Sequence, residues 1–134
     1  MNLQFTKIEK GEGSRVIGTL TWGDDSYSVI TGGYGLGEIP NGSYIVKTRN
    51  VAEGDSTTMK SGFLNPATGR GWFIPLEAKF NTSRFGFGIH PDGNLPGTKG
   101  CLGLQGDDID KFFSKWLTTP LTSRPTTLHV TSDL

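Results

Sequence analysis

A histidine and a cysteine lie eleven residues apart in the most informative stretch of this 134-residue chain. His90 ends an apolar segment, a loop rich in Gly and Pro follows, and the chain returns at Cys101, its single cysteine. Such a loop can fold back and bring an imidazole and a thiol together. That pair suffices for acyl transfer, in which the thiolate attacks a carbonyl while the histidine accepts the proton and later delivers it to the leaving amine.

Residues next to this pair could complete an acyl-transfer site. Asp92 could fix the tautomer of the imidazole, although a backbone carbonyl in the loop would serve equally well. Gly100 and Gly103 flank the cysteine and permit close approach of the backbone. Amide N–H groups near Cys101 could therefore form an oxyanion hole.

Other side chains nearby could bind a substrate. Arg84 could hold a carboxylate bidentately, or could be a solvated charge at the start of a strand. Lys99 could lower the pKa of the thiol or bind a carboxylate, or could be an ordinary loop lysine. Tyr34 and Trp72, which lie near Gly-rich segments, could line a cleft, although aromatic residues in a β protein are more often part of the core.

Spacing alone leaves three interpretations of Cys101 open: a core thiol, a metal ligand or a nucleophile. A single cysteine excludes an intramolecular disulfide. A zinc site is disfavoured because one cysteine and two histidines, with His129 in a distant strand, give no spacing typical of ligand pairs. We therefore expect no metal and no cofactor, and we interpret His129 as a structural or surface residue of its strand.

Composition indicates one turn-rich β domain over residues 1–134. The 20 Gly and 7 Pro are spread along the chain and form no low-complexity run. The 13 Lys and Arg balance the 13 Asp and Glu, so the sequence gives no footprint for nucleic acid or an anionic membrane. Its apolar runs are too short to span a bilayer, and the N-terminus lacks the apolar region of a secretory signal. We expect a monomer.

Short strands between Gly-rich turns are the elements that would position His90 and Cys101. The candidate strands cover residues 3–8, 15–22, 27–31, 43–49, 72–76, 85–90 and 127–131. The second and third would form a hairpin through a Gly-Asp-Asp turn. Residues 50–71 have the composition of a long loop, and long ordered loops often form functional rims.

One helix is expected after the cysteine, starting at an Asp107 N-cap with Asp110 in its first turn and stopping near Pro120. Its apolar residues have the spacing of one buried face, and they are Ile109, Phe112, Phe113, Trp116 and Leu117. The sequence thus predicts a mainly-β sandwich or barrel-like sheet with one helix packed near its end.

The stretch around the His–Cys pair resembles the catalytic domain of the YkuD-type L,D-transpeptidases. The family's signature is a histidine followed at some distance by Ser/Thr-His-Gly-Cys, an apolar residue and often Arg. Here a strand ending in Ile89-His90 is followed by a Gly-rich loop and then by Thr98-Lys99-Gly100-Cys101-Leu102. Residues 39–46 look like the family's Pro-x-Gly-x-Tyr strand, and the helix and closing strand also fit. The resemblance covers about residues 32–131. It implies a catalytic role for His90, Gly100 and Cys101, and a Thr98 that steadies the cysteine loop.

Three features depart from the usual family pattern. Lys99 replaces the common histidine before Gly-Cys, Gly103 stands where arginine is common, and the loop is shorter. These features look closer to compact relatives, namely secreted antibacterial effectors and small phage-encoded proteins. In those relatives the enzyme can cleave stem peptides or exchange terminal D-amino acids.

The resemblance implies an enzyme that attacks a peptidoglycan stem peptide at the carbonyl of an L-centre preceding a D-residue, through a thioester on Cys101. Water would then give a carboxypeptidase or endopeptidase, and an amine would give transpeptidation or D-amino-acid exchange. The alternative is a catalytically inactive module of the same fold that binds the cell wall or has a structural role. Lys99 and Gly103 keep that alternative open.

The same resemblance implies a place of action and a set of partners. We expect synthesis in the cytoplasm and action in the periplasm or cell wall, after delivery by a secretion system or phage lysis. Stem peptides are the expected substrates, and an immunity or delivery protein is a candidate partner. Neither nucleic acid nor a membrane span is expected.

Overall fold

The computed structural model describes residues 2–93 and 96–134 as a mainly β protein with one α-helix. Within these ranges the strands are β1 (Asn2–Lys10), β2 (Arg15–Trp22), β3 (Asp25–Gly32), β4 (Gly42–Val46), β5 (Ala52–Asp55), β6 (Arg70–Ala78), β7 (Gly88–Pro91), β8 (Leu102–Leu104) and β9 (Thr127–Ser132). Helix α1 (Asp108–Thr118) follows β8, and short 3-10 turns cover Ser61–Phe63 and Leu121–Ser123.

Eight of these strands close into a barrel. Their order is β4-β9-β1-β2-β3-β8-β7-β6, and pairing of β4 with β6 completes the ring. β5 pairs with the first half of β6, whereas β4 pairs with its second half. The pairs β1–β9 and β7–β8 are parallel, whereas the other pairs are antiparallel. Of the two arrangements predicted, the barrel is the one observed, and the predicted hairpin is confirmed as β2–β3.

Alternate strand residues fill the barrel interior, because successive side chains of a strand point to opposite faces. Residues that are fully buried in this way include Leu3, Phe5, Leu20, Val29, Ile74, Ile89, Leu102, Leu104 and Leu128. Helix α1 adds its apolar face to the same cluster, where Phe113 stacks on Trp72 with ring centroids 4.6 Å apart. Trp72 is therefore a core residue and not part of a cleft wall around Cys101.

The helix is confirmed, but two details of its prediction are wrong. The Asp107 side chain caps no amide, because this residue already has helical backbone angles (φ −67°, ψ −19°) where an N-cap is extended. Leu117 is about half exposed. Each residue of a helix turns by about 100°, which places Leu117 at the margin of the face centred on Ile109 and Trp116.

The segment predicted as a loop over residues 50–71 contains β5 and the turn Ser61–Phe63. The polar sequence Ala-Glu-Gly-Asp of β5 lacks the alternation of a half-buried strand, and its pairing with β6 supplies the order. β7 begins at Gly88 and not at the predicted Phe85, since Gly86 turns the chain with φ +79°. No helix in the described residues is long and apolar enough to cross a membrane.

Candidate active site

Two neighbouring parallel strands position His90 and Cys101. The register of β7 and β8 pairs Ile89 with Leu102 and His90 with Gly103. Ile89 and Leu102 point into the core, so His90 and Gly103 face the outside of the barrel wall. Cys101 comes two residues before Gly103 and lies on that same outer face, diagonally across from His90.

A cleft of about 520 Å³ lies on this outer face, and both His90 and Cys101 line it. Its walls come from the 3-10 turn region, from the segment that returns to the cysteine and from the loop after β3. The other lining residues are Tyr34, Lys60, Ser61, Gly62, Phe63, Gly86, Asp92, Gly97, Thr98 and Lys99. The structure thus brings four of the other predicted side chains to the cleft of the cysteine and histidine, namely Tyr34, Asp92, Thr98 and Lys99.

Two glycines keep the outer face clear beneath the cleft. A side chain at Gly88 would collide with the ring of Phe73. A Cβ atom at Gly103 would lie 2.9 Å from Cβ of Asp92, which is closer than real Cβ contacts. The position where the resemblance expects arginine therefore has no room for one.

His90 is held as a neutral imidazole with a defined tautomer. Its Nδ1 lies 2.6 Å from the carbonyl oxygen of Pro91, and because a carbonyl can only accept, Nδ1 carries the proton and Nε2 the lone pair. The rings of Phe63 and Phe73 pack on the imidazole at centroid distances of 4.6 and 5.7 Å. Burial among these groups lowers the pKa of His90 to about 4, although the bond to Pro91 opposes the shift.

Asp92 does not orient the imidazole, contrary to one of the two sequence-based alternatives. Its carboxylate accepts hydrogen bonds from the Gly97 amide at 2.9 Å and from Gln105 Nε2 at 2.6 Å. Burial raises the pKa of Asp92, and these two donors oppose that rise. Asp92 therefore fastens the segment that leads to the cysteine, and the backbone carbonyl of Pro91 takes the orienting place.

The Cys101 thiol is neutral near pH 7. Burial raises the pKa of Cys101 to about 11, while the Gly88 amide and the charge of Arg84 act in the opposite direction. The thiol donates to the Gly86 carbonyl at 3.5 Å. The lowered thiol pKa expected from Lys99 is thus not observed, because desolvation outweighs the cationic charge and that charge comes from Arg84.

Thr98 joins the cysteine segment to the end of β3. Its hydroxyl donates to the carbonyl of Cys101 at 2.6 Å and accepts from the amides of Gly100 at 3.2 Å and Gly32 at 3.3 Å. The Thr98 amide also donates to the Gly32 carbonyl at 2.7 Å. The Gly100 amide is consequently engaged by Thr98 and is not directed to an oxyanion, in contrast to the sequence-based expectation.

Arg84 does not reach into the cleft, so the predicted clamp for a substrate carboxylate is not observed. Its guanidinium donates to the carbonyls of Gly37 at 3.0 Å, Glu38 at 3.1 Å and Lys99 at 3.3 Å. It also lies over the ring of Phe87, 5.5 Å from the centroid. Arg84 therefore links the loop after β3 to the cysteine segment from outside the cleft.

The 3-10 turn region supplies cleft residues that the sequence did not single out. Phe63 contacts the imidazole, and Lys60 and Ser61 line the wall beside it. The available signal was the length and composition of the predicted loop over residues 50–71, which indicated a functional rim without naming its residues.

His129 lies on another side of the barrel, in β9. Its Nδ1 is 2.8 Å from the Ser43 hydroxyl, and its Nε2 is 3.4 Å from the Asn2 side-chain amide. Within residues 2–93 and 96–134, no group of three His, Cys, Asp or Glu side chains could hold a metal ion.

Comparisons with protein-family models, with curated proteins and with solved structures give no match for this chain.

Proposed function

We propose that the chain is a cysteine enzyme that acts on peptidoglycan stem peptides, with Cys101 as nucleophile, His90 as base and a barrel that is a compact variant of the L,D-transpeptidase fold. One observation carries the proposal. The only thiol of the chain and an imidazole with a fixed tautomer line the same cleft, on the same face of two paired strands. A histidine and a cysteine with only core or surface roles would not need this arrangement.

The neutral state of both groups defines how the nucleophile would be activated. A thiol with a raised pKa and an imidazole with a lowered pKa that line the same cleft do not form a resting ion pair. Nε2 of His90 therefore accepts the proton as the sulfur attacks the carbonyl carbon, in one coupled step. The Gly88 amide and the positive charge of Arg84 stabilise the negative charge that develops on sulfur during that step.

The reaction then follows the usual course of acyl transfer. The C–S bond forms, the C–N bond breaks, and the proton on Nε2 passes to the departing amine. Nε2 of His90 then takes a proton from water or a second amine as that nucleophile attacks the thioester. The C–S bond breaks and the proton passes to the departing sulfur, which restores the neutral thiol and an imidazole protonated only at Nδ1. Water gives a peptidase, and an amine gives transpeptidation or D-amino-acid exchange.

The substrate class comes from the resemblance of the segment Thr98–Leu102 to the L,D-transpeptidase motif. It suggests attack at the carbonyl of an L-centre followed by a D-residue. A protein with this substrate would work outside the cytoplasm, after delivery by a secretion system or phage lysis, and an immunity or delivery protein is its expected partner.

Incubation with purified sacculi tests the proposal. Wild-type protein should change the muropeptide profile measured by mass spectrometry, and Cys101→Ala should leave that profile unchanged while keeping its fold. Heavy-oxygen water would label the products of hydrolysis, whereas an added D-amino acid would label the products of exchange.

The alternative of an inactive wall-binding module predicts a different result. Both proteins would then co-sediment with sacculi, and neither would alter the muropeptides. A wild-type protein that leaves walls of different crosslink chemistry unchanged would therefore contradict the enzymatic proposal. Unfolding of Cys101→Ala would show instead that the thiol is a core residue.

A further inference from the structure

Two lysines line the cleft from different segments of the chain. Lys60 directly precedes the 3-10 turn Ser61–Phe63, and Lys99 directly precedes the Gly100-Cys101 pair. Both residues are exposed. Among residues 2–93 and 96–134, no carboxylate pairs with either lysine.

The backbone at each lysine is fixed, whereas the side chain extends into solvent. The Lys60 carbonyl accepts from the Phe63 amide at 3.0 Å. The Lys99 carbonyl accepts from the Arg84 guanidinium, and the aliphatic part of the Lys99 side chain packs beside Gly35, where an added Cβ atom would lie 3.3 Å away. The two ammonium groups therefore start from defined points on the rim, which reduces the entropy cost of holding a ligand.

The cleft is positive although the chain as a whole is neutral. The described residues that line it carry two ammonium groups against one carboxyl, that of Asp92, whose oxygen is already bonded to Gly97 and Gln105. His90 is neutral near pH 7. A local excess of positive charge beside a nucleophile attracts an anionic substrate and orients it.

We infer that the cleft binds a peptide with two free carboxylates, one held by Lys60 and the other by Lys99, on either side of the carbonyl presented to Cys101. The position of that carbonyl rests on the proposed function. The inference adds a substrate class, since a peptide whose carboxylates are amidated would lose both ionic contacts.

Kinetics with one pair of substrates test this inference. The probes are a disaccharide-tetrapeptide with free carboxylates and the same compound with its carboxylates amidated. For the free compound, Lys60→Met and Lys99→Met should each raise KM by roughly fivefold, the upper range for exposed ion pairs, and leave kcat nearly unchanged. Lys60→Arg and Lys99→Arg keep the positive charge, so their KM should stay close to the wild-type value.

For wild-type protein, the amidated compound should have a KM as high as the free compound has with the lysine variants. Its KM should be high with wild-type protein and should change little when either lysine is replaced, because the partner of the ammonium group is already gone. Lys111→Met, an exposed lysine of α1 outside the cleft, is the matched control and should leave both substrates unaffected. Equal KM values for both compounds, or equal effects of the lysine variants on both, would overturn the inference.

Binding to Cys101→Ala separates this inference from the proposed function. Calorimetric titration of this variant with the two compounds should show tighter binding of the free one, and addition of Lys60→Met and Lys99→Met should remove the difference. Preferential binding without turnover by wild type would contradict the enzymatic proposal and support the charge-based cleft. Turnover by wild type without preferential binding of the free compound would support the enzymatic proposal and contradict the charge-based cleft.

Discussion

His90 and His129 both lie on outward faces of barrel strands, but their surroundings differ. His129 is half-buried, and each of its ring nitrogens lies near a polar side chain, Ser43 on one side and Asn2 on the other. His90 is buried between two phenylalanine rings, and a backbone carbonyl fixes the proton on one nitrogen. A strand histidine thus becomes a candidate base when the backbone satisfies one nitrogen and a cleft lies beside the ring.

The glycines around the two histidines strengthen this contrast. Gly88 and Gly103 leave space for Phe73 and Asp92 on the face of His90, and they keep side chains away from the diagonal between His90 and Cys101. Around His129 the paired residue is Ser43, whose hydroxyl reaches the imidazole. At His90 a desolvated ring lines a cleft, whereas at His129 a neighbouring hydroxyl contacts the ring.

Replacing His90 gives the largest expected effect. His90→Ala should lower turnover of stem peptides by roughly 10²- to 10⁴-fold, the usual contribution of a general base. His129→Ala is the matched control on another outward strand face and should keep nearly full activity. Both are measured by release of muropeptides from sacculi, after circular dichroism has shown that each variant is folded. Similar losses in both variants would remove His90 from the reaction.

Acid should destabilise the protein through the same residue. The folded-state pKa of His90 is about 4, below its ordinary value of 6.5, so the unfolded chain binds a proton that the folded protein does not. The stability due to neutral His90 is fully present above pH 6.5 and is lost as the pH falls toward 4, by about 3 kcal/mol.

Urea unfolding near pH 7 and near pH 4 measures this loss. The difference in unfolding free energy between the two pH values should shrink by about 3 kcal/mol in His90→Gln, which cannot titrate. His129→Gln should retain most of the wild-type difference. If His90→Gln and wild type lose equal stability in acid, the imidazole is not buried in its neutral form.

Sequence patterns predicted the strands best where apolar residues alternate or where a turn motif is clear. β2 and β3 are examples, since alternation and the Gly-Asp-Asp turn fix both strands and their pairing. β5 and β8 were not predicted, because β5 is polar and β8 has only three residues. Both strands form because they pair with strands that are distant in sequence.

The pairing of His90 with Cys101 in one cleft could be expected from sequence, but the roles of their neighbours could not. Arg84 was a candidate clamp for a substrate carboxylate, and Asp92 was a candidate for fixing the tautomer of the imidazole. In the fold, Arg84 donates to the carbonyls of Gly37, Glu38 and Lys99, and Asp92 accepts from the Gly97 amide and the Gln105 side chain. The raised pKa of Cys101 has the same origin, since desolvation depends on packing from several segments.

Thr98 offers a smaller test of the cysteine segment. Thr98→Val keeps the shape but removes the acceptor for the Gly100 and Gly32 amides and the donor to Cys101. Leaving such buried groups without partners should cost about 1–3 kcal/mol in unfolding free energy and lower kcat more than it changes KM. Thr98→Ser keeps the hydroxyl and should recover most of both quantities. Equal stability of the two variants would show that these hydrogen bonds contribute little.

The smallest expected effect concerns the charge of Arg84 on the thiol. With a pKa of about 11, Cys101 should react slowly with iodoacetamide near pH 7, and the rate should rise about tenfold for each pH unit until the thiol ionises. Arg84→Met removes the positive charge that favours the thiolate, so the rate at a fixed alkaline pH should fall a few-fold, whereas Arg84→Lys should stay close to wild type.

Arg124→Met is the matched control, because Arg124 also lies over an aromatic ring and donates to a backbone carbonyl, but near Trp116 and Thr119 instead of the cleft. A thermal unfolding scan of each variant shows whether the loops held by Arg84 remain in place. An unchanged rate in a folded Arg84→Met protein would mean that burial and the Gly88 amide alone set the reactivity of Cys101, and fast alkylation of wild type at neutral pH would mean that the thiol is less desolvated than the cleft geometry indicates.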